Sequence, residues 1–386
     1  MLWLLLFGKR RRRRRRRSRQ KPKMDDILSI HSNVLFDEAI THHEIHPHQP
    51  YTSNFDNSDE IRISIQHQEL NLLPSQSFIH IFGQLAKPTG AAVTNTKFVN
   101  NGICHLFEEI RYELNAIEID RCKTAGITTT IKGCASFDSA RAYRMENAGW
   151  GSDISQHPPV IDENGYFDVH LPLNMIFGFA EDYKKIIVNA KHELILIRSR
   201  NDLNAIVQAR QEAVAGVVPP PEESKITLKK IEWCMPTIQL SNQDKIKLLK
   251  QMDKNAPIKI PFRSWQLFEW PTIPAATRQH VWSVKTSNQL EKPRFVIIGF
   301  QTGRKSSHFE NASMFDHCNI TNVKLFLNAQ YYPYGTMSIG EAQGLSNAIH
   351  VPFSHHFENC YLTTLSFSGV TRRLRCVIGS PVVLSE

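Results

Sequence analysis

Two strand-like segments of this chain recur in the same order much further along the sequence. Residues 77–84 (SFIHIFGQ) resemble residues 294–301 (RFVIIGFQ), with an offset of 217 residues. Residues 112–117 (YELNAI) resemble residues 325–330 (LFLNAQ), with an offset of 213 residues. Such a period is far longer than a solenoid repeat and has the size of a whole domain. The favoured interpretation is a duplicated β domain, and the alternative is chance similarity between β-rich segments.

Short runs typical of strands fill much of the remaining sequence. Residues 60–66 alternate strictly, so Ile61, Ile63 and Ile65 share one face, which is typical of a half-buried strand. Residues 77–85 carry apolar side chains on both faces, which indicates that both sides of that strand are covered. Many short strands separated by turn residues predict an all-β sandwich or barrel.

Two stretches carry a helical pattern. Residues 101–107 fit one helical turn, and residues 202–215 carry apolar side chains at helical spacing. The triple proline at residues 219–221 ends the second stretch and is the clearest linker in the chain. We therefore predict a first β domain at residues 57–225 and a second at residues 226–334.

Positive charge is concentrated at the N-terminus. Residues 1–23 hold 12 basic residues and no acid, so the formal net charge of +9 becomes −3 for residues 24–386. Like charges repel one another in residues 1–23, and the following residues are polar and rich in histidine, so residues 1–56 are predicted to form a disordered arm. The candidate nucleic-acid-binding residues are Arg10, Arg11, Arg12, Arg13, Arg14, Arg15, Arg16 and Arg17. Three interpretations of the arginine run remain open: an arm that neutralises packaged nucleic acid, a nuclear address, and a segment foreign to the natural protein.

The cysteines and the apolar N-terminus bear on location. The seven cysteines form no CxxC pair, and their odd number without a cleavable signal peptide indicates a reducing intracellular compartment, the cytoplasm or nucleus. The apolar run at residues 1–7 is too short to cross a bilayer, which needs about 20 residues. We therefore expect no membrane partner.

No pattern typical of an enzyme stands out, so we predict no catalytic, cofactor-binding or metal-binding residues and no small-molecule substrate. In an extended chain His42, His46 and His48 would share one side, which allows weak metal capture, but a solvated loop is the better interpretation. The remaining histidine of note is His80, which lies within a confidently predicted strand among apolar neighbours.

Several segments resemble a known family. Residues 60–65 (EIRISI), 100–107 (NNGICHLF) and 112–115 (YELN) resemble the opening of a double jelly-roll major capsid protein. The matching type is that of Polinton or Maverick elements and adintovirus-like insertions in animal genomes, including insects. Residues 322–328 (NVKLFLN) and 331–334 (YYPY) resemble the matching place in the second jelly roll. These motifs are packing and turn patterns.

The resemblance implies an all-β fold of tandem, or double, jelly-roll sandwiches. It also implies a structural capsid-like protein, not an enzyme, whose partner is itself. Three copies would form a homotrimer, a pseudo-hexagonal tile of a virion shell. Residues 335–386 form a divergent tail outside the resemblance. We therefore expect an incomplete second jelly roll with the strand at residues 295–300 partly uncovered, as in an endogenised or truncated copy.

Two other functions remain open. The first is a cupin-like binding module or enzyme, which needs histidines and a carboxylate converging inside one barrel. The apolar neighbours of His80 argue against that function. The second is a nucleic-acid-binding protein that acts through the arginine run.

Overall fold

Most of the alternating segments form strands in the computed structural model of the chain. The structure describes residues 39–66, 71–151, 158, 160–211, 219–253, 258–274, 279–285, 295–316, 318, 322–327, 330–332, 348–352, 360–366 and 372–385. The arginine run, Arg10 to Arg17, lies outside the described residues. Residues 40–386 belong to one structural unit. No helix among the described residues is both long and apolar enough to cross a membrane.

A first sandwich is built from strands before residue 241. They are β1 (Ile40–His48), β2 (Glu60–Ile65), β3 (Asn71–Leu72), β4 (Phe78–Ala86), β5 (Thr96–Phe98), β6 (Phe107–Leu114), β7 (Ile117–Lys123), β8 (Tyr166–Pro172), β9 (Ile187–Val188), β10 (His192–Arg198), β11 (Ile206–Gln208) and β12 (Lys225–Leu240). One sheet has the order β8-β4-β12-β3-β9, with β1 on β12, and the facing sheet has the order β2-β10-β6-β7. The main strands thus cross between the sheets in jelly-roll order.

A second sandwich follows. Its strands are β13 (Lys259–Ile273), β14 (Gln279–Lys285), β15 (Phe295–Gln301), β16 (Asn322–Leu327), β17 (Gln330–Tyr332), β18 (Ala348–Pro352), β19 (Cys360–Ser366) and β20 (Arg372–Ser385). They form two four-stranded antiparallel sheets of order β13-β20-β15-β18 and β14-β19-β16-β17. The prediction of an all-β double jelly roll is confirmed.

Short helices decorate the sandwiches. They are α1 (Gly102–His105), α2 (Ala125–Ser136), α3 (Ser139–Arg144), α4 (Leu173–Ile176), α5 (Gly178–Asp182) and α6 (Asn242–Met252). The helical turn expected at residues 101–107 is α1. Helices α2 to α5 lie in the connections on either side of β8, and α6 joins the two sandwiches.

Each of the eight strands of the second jelly roll has a counterpart in the first. In the two orders β4 occupies the place of β15, β8 that of β18, and β12 that of β20. The first repeated segment therefore lies in equivalent strands, β4 and β15. The second spans equivalent hairpins, β6–β7 and β16–β17, although residues 328–329 lie outside the described residues. The strand order supports the duplication predicted from the repeat.

The core of the first roll lies between its two sheets. Ile61, Ile63 and Ile65 are fully buried there, as their alternation predicts. Leu194 and Trp233 approach from β10 and β12 and are also fully buried. Burial of this kind contributes about 1.5–3 kcal/mol for each large apolar side chain. The alternating sequence thus fixes which face of each strand points inward.

The expectation of an incomplete second jelly roll is wrong. Three of its eight strands lie after residue 334, and β20 pairs with both β13 and β15. Val296, Ile298 and Phe300 are each only 1% exposed. Strand pairing uses backbone groups, so a tail without familiar motifs can still complete a sheet.

Two further expectations are wrong. Residues 202–211 form no helix, because Ile206 to Gln208 pair with β5 and the Arg198 guanidinium holds Asp202 at 3.0 Å. The remaining residues of that expected helix, 212–215, lie outside the described residues. Residues 40–48, expected within a disordered arm, form β1 because their backbone pairs with one edge of β12. Since β12 belongs to the first sheet, the first sandwich continues past residue 225 to Leu240.

Candidate assembly surface

Helices of the first jelly roll cover one sheet of the second. Ile127 and Ile131 of α2 pack with Trp265 of β13, Ile297 of β15 and Phe315 in a buried apolar cluster. Ile297 faces these helices, whereas Val296 and Ile298 lie on the opposite face of the same strand, within the second sandwich. Strand β15 of the β13-β20-β15-β18 sheet is therefore apolar on both faces and covered on both.

The two rolls are in close contact at Gly178. A Cβ atom built there would lie 1.6 Å from the Arg263 carbonyl oxygen, so only glycine allows the contact. Beside it the Asp182 carboxylate accepts hydrogen bonds from the Arg263 backbone N–H at 2.9 Å and from Nε at 2.8 Å. Burial raises the pKa of Asp182, but the bonds from Arg263 outweigh it and hold that pKa below its usual range.

A buried lysine completes the contact. Lys132 is 1% exposed, its Nζ lies 2.9 Å from Glu181 Oε2, and it stands 5.7 Å from the Trp265 ring centre. Burial lowers the pKa of Lys132, and the charge of Glu181 opposes that shift. Removing Glu181 would leave an unpaired charge buried in the first roll, next to Trp265 of the second.

The equivalent sheet of the first roll presents its outer face differently. Along β4 that face carries Phe78, His80 and Phe82, all partly exposed. Phe82 stacks on Tyr166 of β8 at 5.8 Å between ring centres, and Phe78 meets the edge of His170 at 5.1 Å. This row of partly exposed aromatic side chains is here called the open face. It occupies the place that α2 and α5 cover in the second roll.

Ionisable side chains gather at the middle of the open face. His80 Nε2 lies 2.7 Å from Asp168 Oδ1, and His80 Nδ1 lies 3.3 Å from Glu232 Oε2. The rings of His80 and His170 stack with their centres 4.9 Å apart. Burial and the neighbouring His80 lower the pKa of His170, which favours its neutral imidazole. Lys230 Nζ approaches Glu232 at 2.9 Å from the same strand.

The family model for a double jelly roll-like domain matches residues 96–368. The chain belongs to the double jelly roll-like domain family. No curated protein matches it in sequence.

Solved double jelly-roll proteins share its fold. The Faustovirus major capsid protein aligns with a TM-score of 0.60 at 10% identity, over 94% of each chain. The PBCV-1 virus capsid protein aligns with a TM-score of 0.61 at 10% identity, over 92% of this chain and 96% of that one. The mavirus major capsid protein aligns with a TM-score of 0.53 at 9% identity, over 100% of this chain and 96% of that one. At such low identities the likeness shows the fold.

Sequence analysis identified only part of this double jelly-roll surface. It placed His80 in a strand but gave no sign of Asp168, His170 or Glu232 beside it. Residues 166–173 do read as a strand, and alternation puts Asp168 and His170 on one face. What the sequence lacks is the register that sets His170 directly opposite His80.

Among the described residues, the group of three side chains suited to a metal lies on this outer face. Inside the first roll His192 contacts Tyr112, with its Nδ1 2.8 Å from the hydroxyl oxygen. The described residues thus place no cupin-like metal set within the barrel. His42 and His46 lie on the exposed strand β1, where both rings approach the Glu44 carboxylate.

Proposed function

We propose that this chain is a structural subunit of a virus-type capsid shell, not an enzyme, and that three copies form a pseudo-hexagonal trimer. One observation carries the proposal: the first roll covers a sheet of the second, while the equivalent sheet of the first keeps an open face. The shared fold of major capsid proteins supports it.

Pseudo-symmetry explains why that observation favours a ring. A contact from the first roll to the second is head-to-tail, because it uses different surfaces on its two sides. Such contacts close into rings when the rotation allows it. If the second roll of a neighbouring copy covers the open face, three copies complete a ring of six rolls. The repeated strand order makes the two faces equivalent in position.

Side-chain chemistry of the open face suits protein contact. Phe78, Phe82 and Tyr166 are the aromatic types enriched at the centres of interfaces. Lys229 Nζ stands 4.4 Å from the Tyr166 ring centre, which leaves charge at the margin of the row. Burial of such rings against a second copy would stabilise the assembly by the hydrophobic effect.

The test is to place a charge at the centre of the row. Phe82→Arg should convert trimers to monomers, because an unpaired guanidinium would be buried at the contact. Light scattering after size-exclusion chromatography gives the mass, and electron microscopy shows the outline. Ile117→Arg is the control, since Ile117 is 63% exposed at a hairpin tip away from the row. A monomeric wild type, or a trimeric Phe82→Arg protein, would contradict the proposal.

We also propose that the arginine run, Arg10 to Arg17, contacts packaged nucleic acid. Its eight adjacent positive charges precede a body of net charge −3, so the attraction to phosphate is concentrated there. Deleting residues 1–23 should abolish binding of duplex DNA at low salt, and wild-type binding should weaken steeply as salt rises. Equal binding by the deletion variant would refute this role.

The subunit would be made inside a cell, in the cytoplasm or nucleus, and would reside in the virion when functional. The Polinton or Maverick type of origin is also part of the proposal. The residues that support it are the motifs at 60–65, 100–107 and 112–115.

A further inference from the structure

Three side chains on the open face are arranged like metal ligands. His80 of β4 lies directly opposite His170 of β8 in the antiparallel register. Asp168 precedes His170 by two residues, so its side chain emerges on the same face. One ligand atom from each of the three lies within 4.8 Å of the other two.

These distances suit a small tetrahedral ion. Bonds of about 2.0 Å at tetrahedral angles place ligand atoms about 3.3 Å apart. Nε2 of His80 and Oδ1 of Asp168 are already closer than this, at 2.7 Å. No ligand atom of the three is more than 4.8 Å from another, so each pair is within about 1.5 Å of the separation that the ion requires. The stacked rings of His80 and His170 cannot both direct a nitrogen at one ion, so the exposed His170 side chain must rotate out of the stack for all three atoms to reach bonding distance.

A carboxylate behind His80 is the second observation that points to a metal. Glu232 is 6% exposed, and its Oε2 lies 3.3 Å from His80 Nδ1. Histidines that bind metals commonly donate their other ring N–H to a carboxylate, which fixes the ring and directs the remaining nitrogen at the ion. Glu232 is itself held by Lys230 at 2.9 Å and by Gln49 at 3.1 Å.

We propose that His80, Asp168 and His170 form a Zn²⁺ site on the outer face of the first jelly roll, with Glu232 orienting His80. Imidazole nitrogens and carboxylate oxygens are common zinc ligands in proteins, so two imidazoles and one carboxylate suit this ion. The three side chains fill three of the four tetrahedral positions of the ion. The site does not depend on trimer formation, because all of its ligands come from one chain.

Without a metal the same groups have another use. They form a network in which His80 bridges Asp168 and Glu232 through its two ring nitrogens, and His170 only stacks on the His80 ring. Such a network uses no ring nitrogen of His170, whereas a metal site uses one as a ligand. The role of His170 therefore separates the two arrangements.

The experiment titrates the untagged full chain with Zn²⁺ by calorimetry at pH 7.5, and separately with Co²⁺ by visible absorption. Wild type should bind one Zn²⁺ per chain and give the intense absorption of tetrahedral Co²⁺. His170→Ala and Asp168→Asn should each abolish that absorption and weaken Zn²⁺ binding at least about tenfold. Glu232→Gln should retain the site with affinity lowered about 10- to 100-fold.

Two controls test whether histidines outside the site bind the metal and whether the variants keep their fold. His42→Ala combined with His46→Ala removes the two histidines of β1 whose rings approach Glu44 and should leave the cobalt spectrum unchanged. Circular dichroism should show the wild-type strand content in the Asp168 and His170 variants, since both side chains are exposed. Absence of Zn²⁺ binding by the wild type, or unchanged binding by His170→Ala, would overturn the proposal. So would a cobalt spectrum of octahedral type.

Discussion

A single buried histidine makes the first jelly roll sensitive to acid. His192 is fully buried between the sheets, with Tyr112 and Trp233 around its ring. Burial, with a smaller effect from His48, lowers the pKa of His192 to about 4. The ring is therefore neutral in the folded protein at pH 7, and protonating it would place a charge in an apolar core.

The sign of the pH dependence follows directly. Below pH 6.5 the unfolded chain binds a proton at His192, and the folded chain does so only near pH 4. The stability from this residue is therefore present above pH 6.5 and lost as pH falls towards 4, by about 3 kcal/mol in all. Burial raises the pKa of Asp120 to about 6, which acts in the opposite direction over part of this range.

A variant isolates the histidine. We expect His192→Gln to have a lower free energy of unfolding than the wild type at pH 7. Because glutamine does not titrate, most of that difference should disappear by pH 4. Urea unfolding of both proteins between pH 7 and pH 4 measures the difference, and the contribution of Asp120 cancels. Parallel stability curves for the two proteins would show that His192 does not titrate in this range.

Helix α2 shows how packing overrides local preference. Its sequence, AGITTTIKGCAS, contains two glycines and three threonines, which are weak helix formers. Gly126 lies against the His105 ring and Gly133 against the Trp150 ring, where a Cβ would come within 2.2 Å and 2.3 Å of ring carbons. The helix therefore exists because it fits between neighbours, and sequence periodicity alone gave no sign of it.

Hairpin β6–β7 carries a prediction at this scale. Asn115 and Ala116 both have positive φ, 49° and 63°, as a two-residue turn of type I′ requires. Glycine adopts that conformation without the strain of a Cβ, so Ala116→Gly should stabilise the protein by about 0.5–1 kcal/mol. Chemical denaturation measures the change, and Ala142→Gly in helix α3 is the control, expected to destabilise. A lower stability for Ala116→Gly would argue against this turn.

The sequence predicted those strands in which the pattern of apolar and polar side chains determines which face is buried. Strands β2, β4 and β15 follow from such patterns, and the repeat links two of them. The helix predicted at residues 202–211 does not form, because pairing with β5 and the ion pair of Asp202 outweigh the helical spacing of apolar side chains. The candidate site was only partly readable, since the meeting of His80 and His170 depends on register between distant segments.

At the scale of the molecule, residues 335–386 supply three strands that the second roll needs in order to fold. β20 pairs with β13 from Lys259 to Trp270 and again at Ile273, and with β15 on its other edge, so it is central to the sheet. A chain ending at residue 334 would expose the apolar face around Val296 and Ile298 and leave sheet edges unpaired. We expect it to aggregate on expression.

The deletion of residues 1–23 provides the matched comparison, because it removes charge outside the described sandwiches. Its melting temperature should equal that of the full chain, while the chain ending at residue 334 should show no cooperative transition for the second roll. Differential scanning calorimetry of soluble material measures both. A soluble, cooperatively melting second roll without residues 335–386 would contradict the assigned pairing of β20.

The place of β12 and β20 in their sheets also sets an order for synthesis on the ribosome. Each is the last strand of its roll and sits between two strands made earlier. The first roll can close once Leu240 has left the exit tunnel, while the second stays open until residues 372–385 emerge. During that interval the nascent chain presents uncovered apolar strands to the cell, so translation speed and chaperone supply should limit the yield of folded protein.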